Sequence, residues 1–521
     1  MTDQSTADNV AGQVVLDSSA GRLVIATTVA GSAVAMLTAT VVNVALPTLA
    51  NDLDASSGQQ QWVVNGYLLA IASLILIGGN LGDRFGRLLV YRIGVAWFAV
   101  ASVLCAIAPN VEVLIAARLL QGVGGALLTP GSLAIIEATL RPADRGRGVG
   151  QWSGLGGVAG AIGPLVGGLL VDLSWRWVFL INLPVALLVL AMSRYVPESS
   201  DPAAKSQPLD TVGAALTAIT LGGASFALIQ GPPDGFGALD TAAAVIAAVG
   251  FVLLLLNERQ HPHPMLPFDL FLVRPFLAAN LVTLLVYGGM GVVFFLLTVQ
   301  LQVSLGWAPV AAGAALLPIT GLMLALSSSA GSVAQRIGPR LPLTIGPLLI
   351  AVAMVLFARI GPGDRYLTDV LPAVLVFGLG LAASVAPVTA TALGSVPSDR
   401  AGAASGMNNA VSRTGQLLTV AAIPPLVGLT GDALRDPVAL TDGFDDAMYV
   451  GAALVAIGSL SSALLFPSGA ESASGEPTAD QPPDRSPDRS PDEVATPAVT
   501  AAVGSRFHCG VESPQPVRSH H

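Results

Sequence analysis

The chain has 521 residues, of which 53% are hydrophobic and 11% charged, and its formal net charge is −9. Soluble domains carry about 25% charged residues, so this composition excludes an ordinary soluble protein. Two cysteines in the whole chain also exclude a disulfide framework. The composition therefore predicts an all-α polytopic membrane protein.

Apolar runs of about 20 residues, the length that crosses a bilayer as a helix, follow one another almost to the end of the chain. We predict fourteen membrane helices from them, near 23–47, 61–82, 88–108, 112–138, 148–172, 177–196, 211–230, 239–257, 276–302, 309–333, 341–360, 368–394, 404–430 and 447–466. Residues 1–21 hold three aspartates and no basic residue, which is unlike a signal peptide. Residues 467–521 repeat the letters P-D-R-S, which predicts a disordered tail.

Basic residues predict how the helices are oriented. With the N-terminus in the cytoplasm, the cytoplasmic loops and helix ends hold fourteen arginines and lysines, and the opposite side holds four. Cytoplasmic loops of membrane proteins carry such an excess. One lysine among 24 basic residues is typical of a GC-rich genome such as a bacterial one. We therefore expect a multi-pass protein of a bacterial plasma membrane, with the segment 1–21 and the tail 467–521 both cytoplasmic.

A charged loop between the second and third helices has a weaker copy later in the chain. The letters G-N-L-G-D-R-F-G-R at 79–87 correspond to G-S-V-A-Q-R-I-G-P-R at 331–340, 252 residues later. Parallel repeats of this kind are found in transporters, whose substrate site lies between the repeats. We predict two six-helix halves, 22–197 and 275–466, with a two-helix insert, 211–257, between them.

Five further strings resemble one transporter family. They are V-V-N-V-A-L-P (41–47), Q-W-V-V-N-G-Y-L-L-A (61–70), R-L-L-Q-G-V-G-G-A (118–126), G-P-L-V-G-G (163–168) and S-W-R-W-V-F-L-I-N-L-P (174–184). Together with the charged loop, they resemble the fourteen-helix drug–proton antiporter family of the major facilitator superfamily, over nearly all of the first 466 residues. The resemblance implies a monomer in the lipid bilayer that exports small amphiphilic drugs or antibiotics in exchange for protons, without a cofactor or metal and without nucleic acid.

The resemblance assigns the charged loop a role as a gating latch. Its residues are Gly79, Asp83, Arg84, Gly86 and Arg87. Asp83 can cap a helix end and pair with an arginine or a helix N-terminus across the interface between the halves. Such a latch would hold the cytoplasmic side closed while the outer side is open. The alternative is a solvated loop that follows the positive-inside rule.

Arg118 and Arg413 are the two arginines placed deep in predicted spans, where charged groups are costly and usually functional. The resemblance gives Arg118 a role near the substrate cavity and in proton handling. The alternative is an arginine whose donors are satisfied by neighbouring carbonyls and Gln121. No motif accompanies Arg413, and its two interpretations stay open.

Two more sets of residues complete the candidate site. Polar residues at mid-depth suit a cavity for amphiphiles, although each alone is more often a contact between helices: Thr38, Asn43, Asn65, Tyr67, Gln121, Asn280, Gln300 and Gln302. The fifth helix carries the family's antiporter motif at Gly163, Pro164, Gly167 and Gly168. Glycines allow close helix contact and proline weakens the helix, so this helix can pack tightly or bend.

The chain departs from the family at Thr38, where an aspartate commonly stands in the first helix. No Asp or Glu is central in a predicted span, and no His lies in one. Proton coupling must then use peripheral groups such as Asp83 or Glu137, or be weak. An exporter or flippase of an endogenous lipid or metabolite is therefore the alternative function.

Two other mechanisms find no support in the sequence. A phosphate-binding loop needs a lysine after glycine, and the single lysine, Lys205, follows Ala204. ATP hydrolysis by this chain is thereby excluded. A membrane-embedded enzyme would need a convergent set of His, Cys, Asp or Ser residues at depth, and no such set is visible.

The predicted topology can be tested in the loop 231–240, which carries Asp234 and Asp240 and no basic residue. We expect this loop to lie outside the cell, because basic residues are what retain loops in the cytoplasm. A reporter that is active only in the cytoplasm should therefore be silent when it is fused into the loop. A bright signal there would remove both the two-helix insert and the count of fourteen.

Overall fold

The structure is a computed structural model that describes residues 13–200, 208–231, 235, 237–261, 264–397 and 400–466. It is all-α as predicted: within these ranges, extended backbone pairing is limited to an isolated bridge between Val14 and Leu140. The tail 467–521 and most of the segment 1–21 lie outside the described residues.

Sixteen α-helices make up the described chain. They are α1 (Ser19–Leu53), α2 (Ser57–Phe85), α3 (Arg87–Ala106), α4 (Val111–Thr139), α5 (Pro142–Val171), α6 (Trp177–Leu180), α7 (Asn182–Ser193), α8 (Thr211–Gln230), α9 (Ala238–Gln260), α10 (Arg274–Val303), α11 (Pro309–Ala314), α12 (Leu317–Ile337), α13 (Arg340–Phe357), α14 (Leu371–Gly394), α15 (Ala401–Leu426) and α16 (Pro437–Leu465).

Twelve helical stretches within the described ranges are long and apolar enough to cross a membrane. They include α8 and α9, the predicted insert. The stretch from α6 to α7 is shorter, and α15 is not among the twelve. Polar residues explain the difference for α15, since it carries Asn408, Asn409, Arg413 and Gln416. The count of fourteen and the status of α8 and α9 as an insert therefore stay predictions.

Several boundaries differ from the predicted ones, and prolines account for two breaks. The predicted span 177–196 divides at Ile181, shortly before Pro184, and the span 309–333 divides before Pro318. Proline lacks the backbone N–H that would continue the helical hydrogen bonds. The last helix begins at Pro437 and not at residue 447, so that Asp445 lies inside it.

The helices form two sets that pack mainly among themselves. We call α1 to α7 the first half and α10 to α16 the second half. In the first half α4 packs against α2 and α3, and α5 packs against α1. In the second half α10 packs against α15 and α16, and α14 packs against α12 and α13. The halves meet where α2 contacts α15 and where α5 contacts α11, while α8 packs against α9 and touches both α2 and α15.

The contact between α5 and α11 joins two backbones directly. A Cβ added to Gly168 would overlap the backbone of Val310, and one added to Gly313 would overlap the carbonyl of Pro164. Gly163 and Gly167 face α1: a Cβ on Gly163 would overlap the side chain of Thr40, and one on Gly167 would lie 3.2 Å from backbone atoms of Val41. The glycines of the antiporter motif therefore let α5 approach helices of both halves.

The backbone contact of α5 with α11 of the second half lies at one end of α5. We call that end the outer end, because the basic residues predict that it faces outside. Towards the other end, a Cβ on Gly146, Gly150 or Gly154 would meet no described atom within 4 Å. The glycine contacts that join the halves therefore lie at the outer end of α5, and its inner half leaves open space at Gly146, Gly150 and Gly154.

Candidate transport site

Arg118 lies on α4 with 1% of its surface exposed. Its Nε donates a hydrogen bond to the carbonyl of Val63 at 2.9 Å, and a terminal nitrogen donates to Oε1 of Gln121 at 2.5 Å. The guanidinium carbon lies 4.4 Å from the centroid of the Tyr67 ring. These neighbours hold the positive charge with dipoles and a ring face, and none of them is a carboxylate.

A chain of buried hydrogen bonds continues from Gln121 to Thr38. Nε2 of Gln121 donates to Oγ of Ser102 at 2.8 Å, and Nδ2 of Asn182 donates to the same oxygen at 3.3 Å. Thr38 in turn donates to Oδ1 of Asn182 at 3.0 Å. All four side chains are at most 1% exposed. The structure thereby connects Thr38 and Arg118, which the sequence analysis singled out separately, through α3 and α7.

Asn182 and Ser102 were missed as site residues by the sequence analysis. Asn182 does lie in the string S-W-R-W-V-F-L-I-N-L-P, so a signal for it was present. Ser102 had none, because a serine in an apolar helix commonly donates to its own helix backbone, as Ser102 also does to Phe98. Its second role, as an acceptor for two amides, depends on packing between helices.

The contacts of Arg118 are those of the structural alternative: a backbone carbonyl and Gln121. They show how the charge is tolerated, and its role in transport stays a proposal. Removing one partner from a buried network of this kind costs ~1–3 kcal/mol, because the group left behind is desolvated and unpaired. The network therefore holds Arg118 in one place.

The other predicted cavity residues fall into two groups. Asn280, Gln300 and Gln302 donate to backbone carbonyls at 2.9, 2.9 and 3.0 Å, so they have partners within the protein. Asn43 and Asn65 are buried, and polar atoms of their side chains have no hydrogen-bond partner among the described residues. A buried polar group without a partner calls for water or a ligand.

Two more buried groups join the unpartnered set. Both side-chain atoms of Gln61 lack a partner, one turn from Asn65 on α2, and so does Nε of Arg413 on α15. Tyr67 from the first half and Tyr287 from the second half lie close enough to Arg413 to interact with its charge. These polar groups come from both halves, from α2 on one side and from α10 and α15 on the other.

The predicted latch makes its described contacts within its own half. Asp83 accepts a hydrogen bond from Nε of Arg87 at 2.7 Å, four residues along the chain. Gly86 separates α2 from α3 with a φ of +118°, which favours glycine. The N-terminus of α3 is capped by Glu198, which accepts from the backbone of Leu88 and Leu89 at 2.9 Å. Within the described part of the chain, the ion pair of Asp83 is with Arg87 of its own half, and none is formed with the second half.

The halves are also linked at their outer ends by hydrogen bonds. Arg435, before α16, binds Asp54 at 2.8 Å and the carbonyl of Ala50, both at the end of α1. Ser57 accepts from the backbone of Leu434 at 3.1 Å. A cavity of about 340 Å³ lies beside these contacts, lined by residues of both halves. With the contact between α5 and α11, these bonds join the two halves at this end.

A comparison with protein-family models agrees with the fold, the internal repeat and the family strings. The model of the Major Facilitator Superfamily matches residues 28–420. The chain belongs to the Major Facilitator Superfamily. Members of this superfamily are transporters, so the protein is a transporter and not an enzyme.

Its relatives in the superfamily include resistance proteins of bacteria. The tetracenomycin C resistance and export protein of Streptomyces glaucescens is 36% identical, over 77% of this chain and 75% of its own. The puromycin resistance protein of Streptomyces alboniger is 36% identical, over 78% of this chain and 83% of its own. A multidrug resistance protein of Mycobacterium tuberculosis is 32% identical, over 77% of this chain and 75% of its own.

Solved structures of the superfamily share the fold. A bacterial homologue of the human lysosomal transporter Spinster, solved in an inward-facing and unoccupied conformation, matches with a TM-score of 0.61 and 18% identity, over 85% of this chain and 96% of that one. A D-xylose–proton symporter matches with a TM-score of 0.58 and 15% identity, over 86% and 99%. At these identities, the likeness concerns the fold alone.

The network around Arg118 predicts that lysine cannot replace it. Arg118→Lys keeps the charge, but one ammonium group cannot reproduce the planar fork that reaches both Val63 and Gln121. A hydrogen bond to a charged group is worth ~1.5–3 kcal/mol, so we expect the variant to insert normally and to export about tenfold more slowly or worse. The measurement is efflux of a fluorescent amphiphile at matched expression. Arg22→Lys, at the exposed start of α1, is the control, and equal rates for both variants would contradict the prediction.

Proposed function

We propose that the protein exports small amphiphilic drugs or antibiotics by secondary active transport, in exchange for protons. The observation that carries this proposal is the identity of 36% with an antibiotic resistance and export protein, over three quarters of both chains. The two helical halves and the resemblance to drug–proton antiporters support it. A purified protein in liposomes should expel such an amphiphile when a pH gradient is imposed.

The contacts between the halves suggest how the site is exposed alternately. In the described conformation the outer ends are joined by Arg435 and by the backbone contact at Gly168. Unpartnered polar groups lie on α2 and on α15, which contact each other across the halves. We propose that Gln61, Asn65 and Arg413 hydrogen-bond to substrate or to water there. A substrate bound between the halves would be exposed to one side and then to the other as the ends separate in turn.

The charged loop at 79–87 would act in the opposite conformation. When the inner ends of the halves approach, Asp83 could exchange Arg87 for a partner on the second half. A charge-assisted hydrogen bond of that kind would hold the cytoplasmic side closed. Replacing Asp83 would then impair transport without affecting insertion.

The charge of Arg118 sets the substrate preference that we propose. Arginine stays protonated in proteins, and the hydrogen-bonded neighbours of Arg118 provide no carboxylate to balance it. A substrate bound between the halves would feel this charge and that of Arg413, so cations should be repelled, above all divalent ones. We therefore propose neutral or anionic amphiphiles as substrates, with Asp83, Glu137 or Asp445 as peripheral carboxyl groups for protons.

A second candidate function is export or flipping of an endogenous lipid or metabolite. One observation favours it: an apolar cavity of about 480 Å³ lies between α2, α4 and α8, lined by residues such as Leu69, Leu119 and Val123. A lipid chain fits such a surface through hydrophobic contact. In the liposome experiment, lipid transport without a response to the pH gradient would favour this alternative.

The proposed preference against cations can be tested by replacing Thr38 and measuring export in cells that lack other pumps. We expect the wild type to export dicationic dyes barely at all, and Thr38→Asp to improve export of monocationic dyes. A carboxylate at this position can accept from Asn182 after its amide turns over, and would introduce a negative charge into the network that ends at Arg118. Dye efflux is measured at matched expression.

Thr38→Asn is the matched control, because it has the same size as the aspartate variant and no charge. It should leave the export of cations unchanged. Strong efflux of dications by the wild type would contradict the proposal, since a central carboxylate would then be unnecessary.

A further inference from the structure

A pair of buried carboxyl groups lies at the base of α8 and α9, away from the site described above. Asp210, just before α8, is 3% exposed, and Glu258, near the end of α9, is 5% exposed. A Cβ added to Gly213 would overlap Oδ2 of Asp210 and lie 2.7 Å from Oε1 of Glu258. Glycine at 213 is thus what allows the two carboxyl groups to come together.

Asp210 accepts more hydrogen bonds than Glu258 does. Asp210 accepts from the backbone of Gly213 at 2.7 Å and from Nδ2 of Asn257 at 3.0 and 3.1 Å. Glu258 accepts with Oε2 from the backbone of Leu266 at 2.9 Å. Its other oxygen, Oε1, is buried beside Asp210 and has no donor among the residues that the structure describes. One proton added to this oxygen would allow it to donate a hydrogen bond to the neighbouring carboxylate.

The proton belongs on Glu258. Burial works against ionisation of Asp210, but the hydrogen bonds from Gly213 and Asn257 outweigh it and hold the pKa of Asp210 below its ordinary value. Glu258 has fewer donors, and a second negative charge beside Asp210 would be repelled. Among the described titratable groups, His261 is the further one whose charge acts on both carboxyl groups.

We propose that Asp210 and Glu258 form a proton-binding site, in which Glu258 Oε1–H donates a hydrogen bond to Oδ2 of Asp210. Release of the proton to water leaves two carboxylates facing each other, and uptake restores the bond. The site lies at the end of the molecule that the basic residues predict to be cytoplasmic.

Its position lets the proton act on both halves. α8 packs against α2 of the first half and α15 of the second half, and the bond from Leu266 ties α9 to the segment that enters α10. Repulsion between two carboxylates would loosen the base of this hairpin. A role for the site in coupling rests on the proposed proton antiport, whereas proton binding itself does not.

Infrared spectroscopy of the full-length protein in lipid nanodiscs tests the site without transport. A protonated carboxyl group has a C=O band that disappears when the proton is lost. We expect the wild type to lose such a band as the pH is raised, and Glu258→Gln to lack the component due to Glu258 while the bands of the other carboxyl groups remain. Gly213→Ala, which forces the pair apart, should shift the loss of the band to lower pH, because Glu258 then ionises more easily. Asp240→Asn, at the opposite end of α9, should keep the wild-type titration.

An identical carboxyl titration in the wild type and in Glu258→Gln would overturn the proposal. Liposomes then test the coupling: Glu258→Gln should keep downhill movement of a fluorescent amphiphile and lose its acceleration by a pH gradient. Full acceleration in this variant would overturn the role in coupling. A wild type that shows no acceleration would instead refute the proposed antiport, and the infrared result would stand independently.

Discussion

The close approach of α5 and α11 is the constraint on which the rest of the structure depends. Two helices from different halves touch through their backbones because glycine stands at 168 and at 313. No larger residue leaves room for this distance. The contact, together with the bond from Arg435 to the end of α1, brings the outer ends of the halves together, whereas α5 leaves open space at Gly146, Gly150 and Gly154 in its inner half.

A second constraint is the positive charge held inside the first half. Desolvating a guanidinium is costly, and here Val63, Gln121 and Tyr67 compensate for it without a carboxylate. The chain of hydrogen bonds through Ser102 and Asn182 then fixes Thr38 as well. Substrate preference and proton coupling are therefore linked, since both depend on the lack of a carboxylate among the neighbours of Arg118.

Protons would in that case be bound at the periphery. A central carboxylate would place proton and substrate in one cavity, where they can compete directly. The pair of Asp210 and Glu258 sits instead at the base of a helix that touches both halves. Coupling from there would act through the packing of α8, in the way that a change at one site biases a two-state equilibrium of the whole molecule.

Much of this arrangement could be predicted from the sequence. Apolar runs predicted the helices, and the family strings predicted the superfamily and pointed to Arg118 and Thr38. The bonds between helices could not be predicted, because periodicity along one helix does not identify the side chain that faces it from another. Ser102 accepting from two amides, and Glu198 capping α3 from 110 residues away, are examples.

The ends of helices could not be predicted either where the amino-acid composition changes gradually along the chain. The last helix begins at Pro437, ten residues before its predicted start at 447, and therefore includes Asp445. An aspartate at that position does not interrupt the backbone hydrogen bonds of the helix. The carboxyl pair at Asp210 and Glu258 was hidden for another reason. Its members are 48 residues apart and meet because α8 and α9 pack as a hairpin, with glycine at 213 leaving the space.

Distances between paired spin labels test the central claim that the halves open alternately at their two ends. In a cysteine-free background, one pair of labels at Leu173 and Ala308 reports on the outer ends, and another at Arg147 and Ile337 reports on the inner ends. When substrate is added to the protein in liposomes under a pH gradient, the outer distance should lengthen in the same fraction of molecules in which the inner distance shortens. Two distances that stay constant, or that lengthen together, would contradict the account.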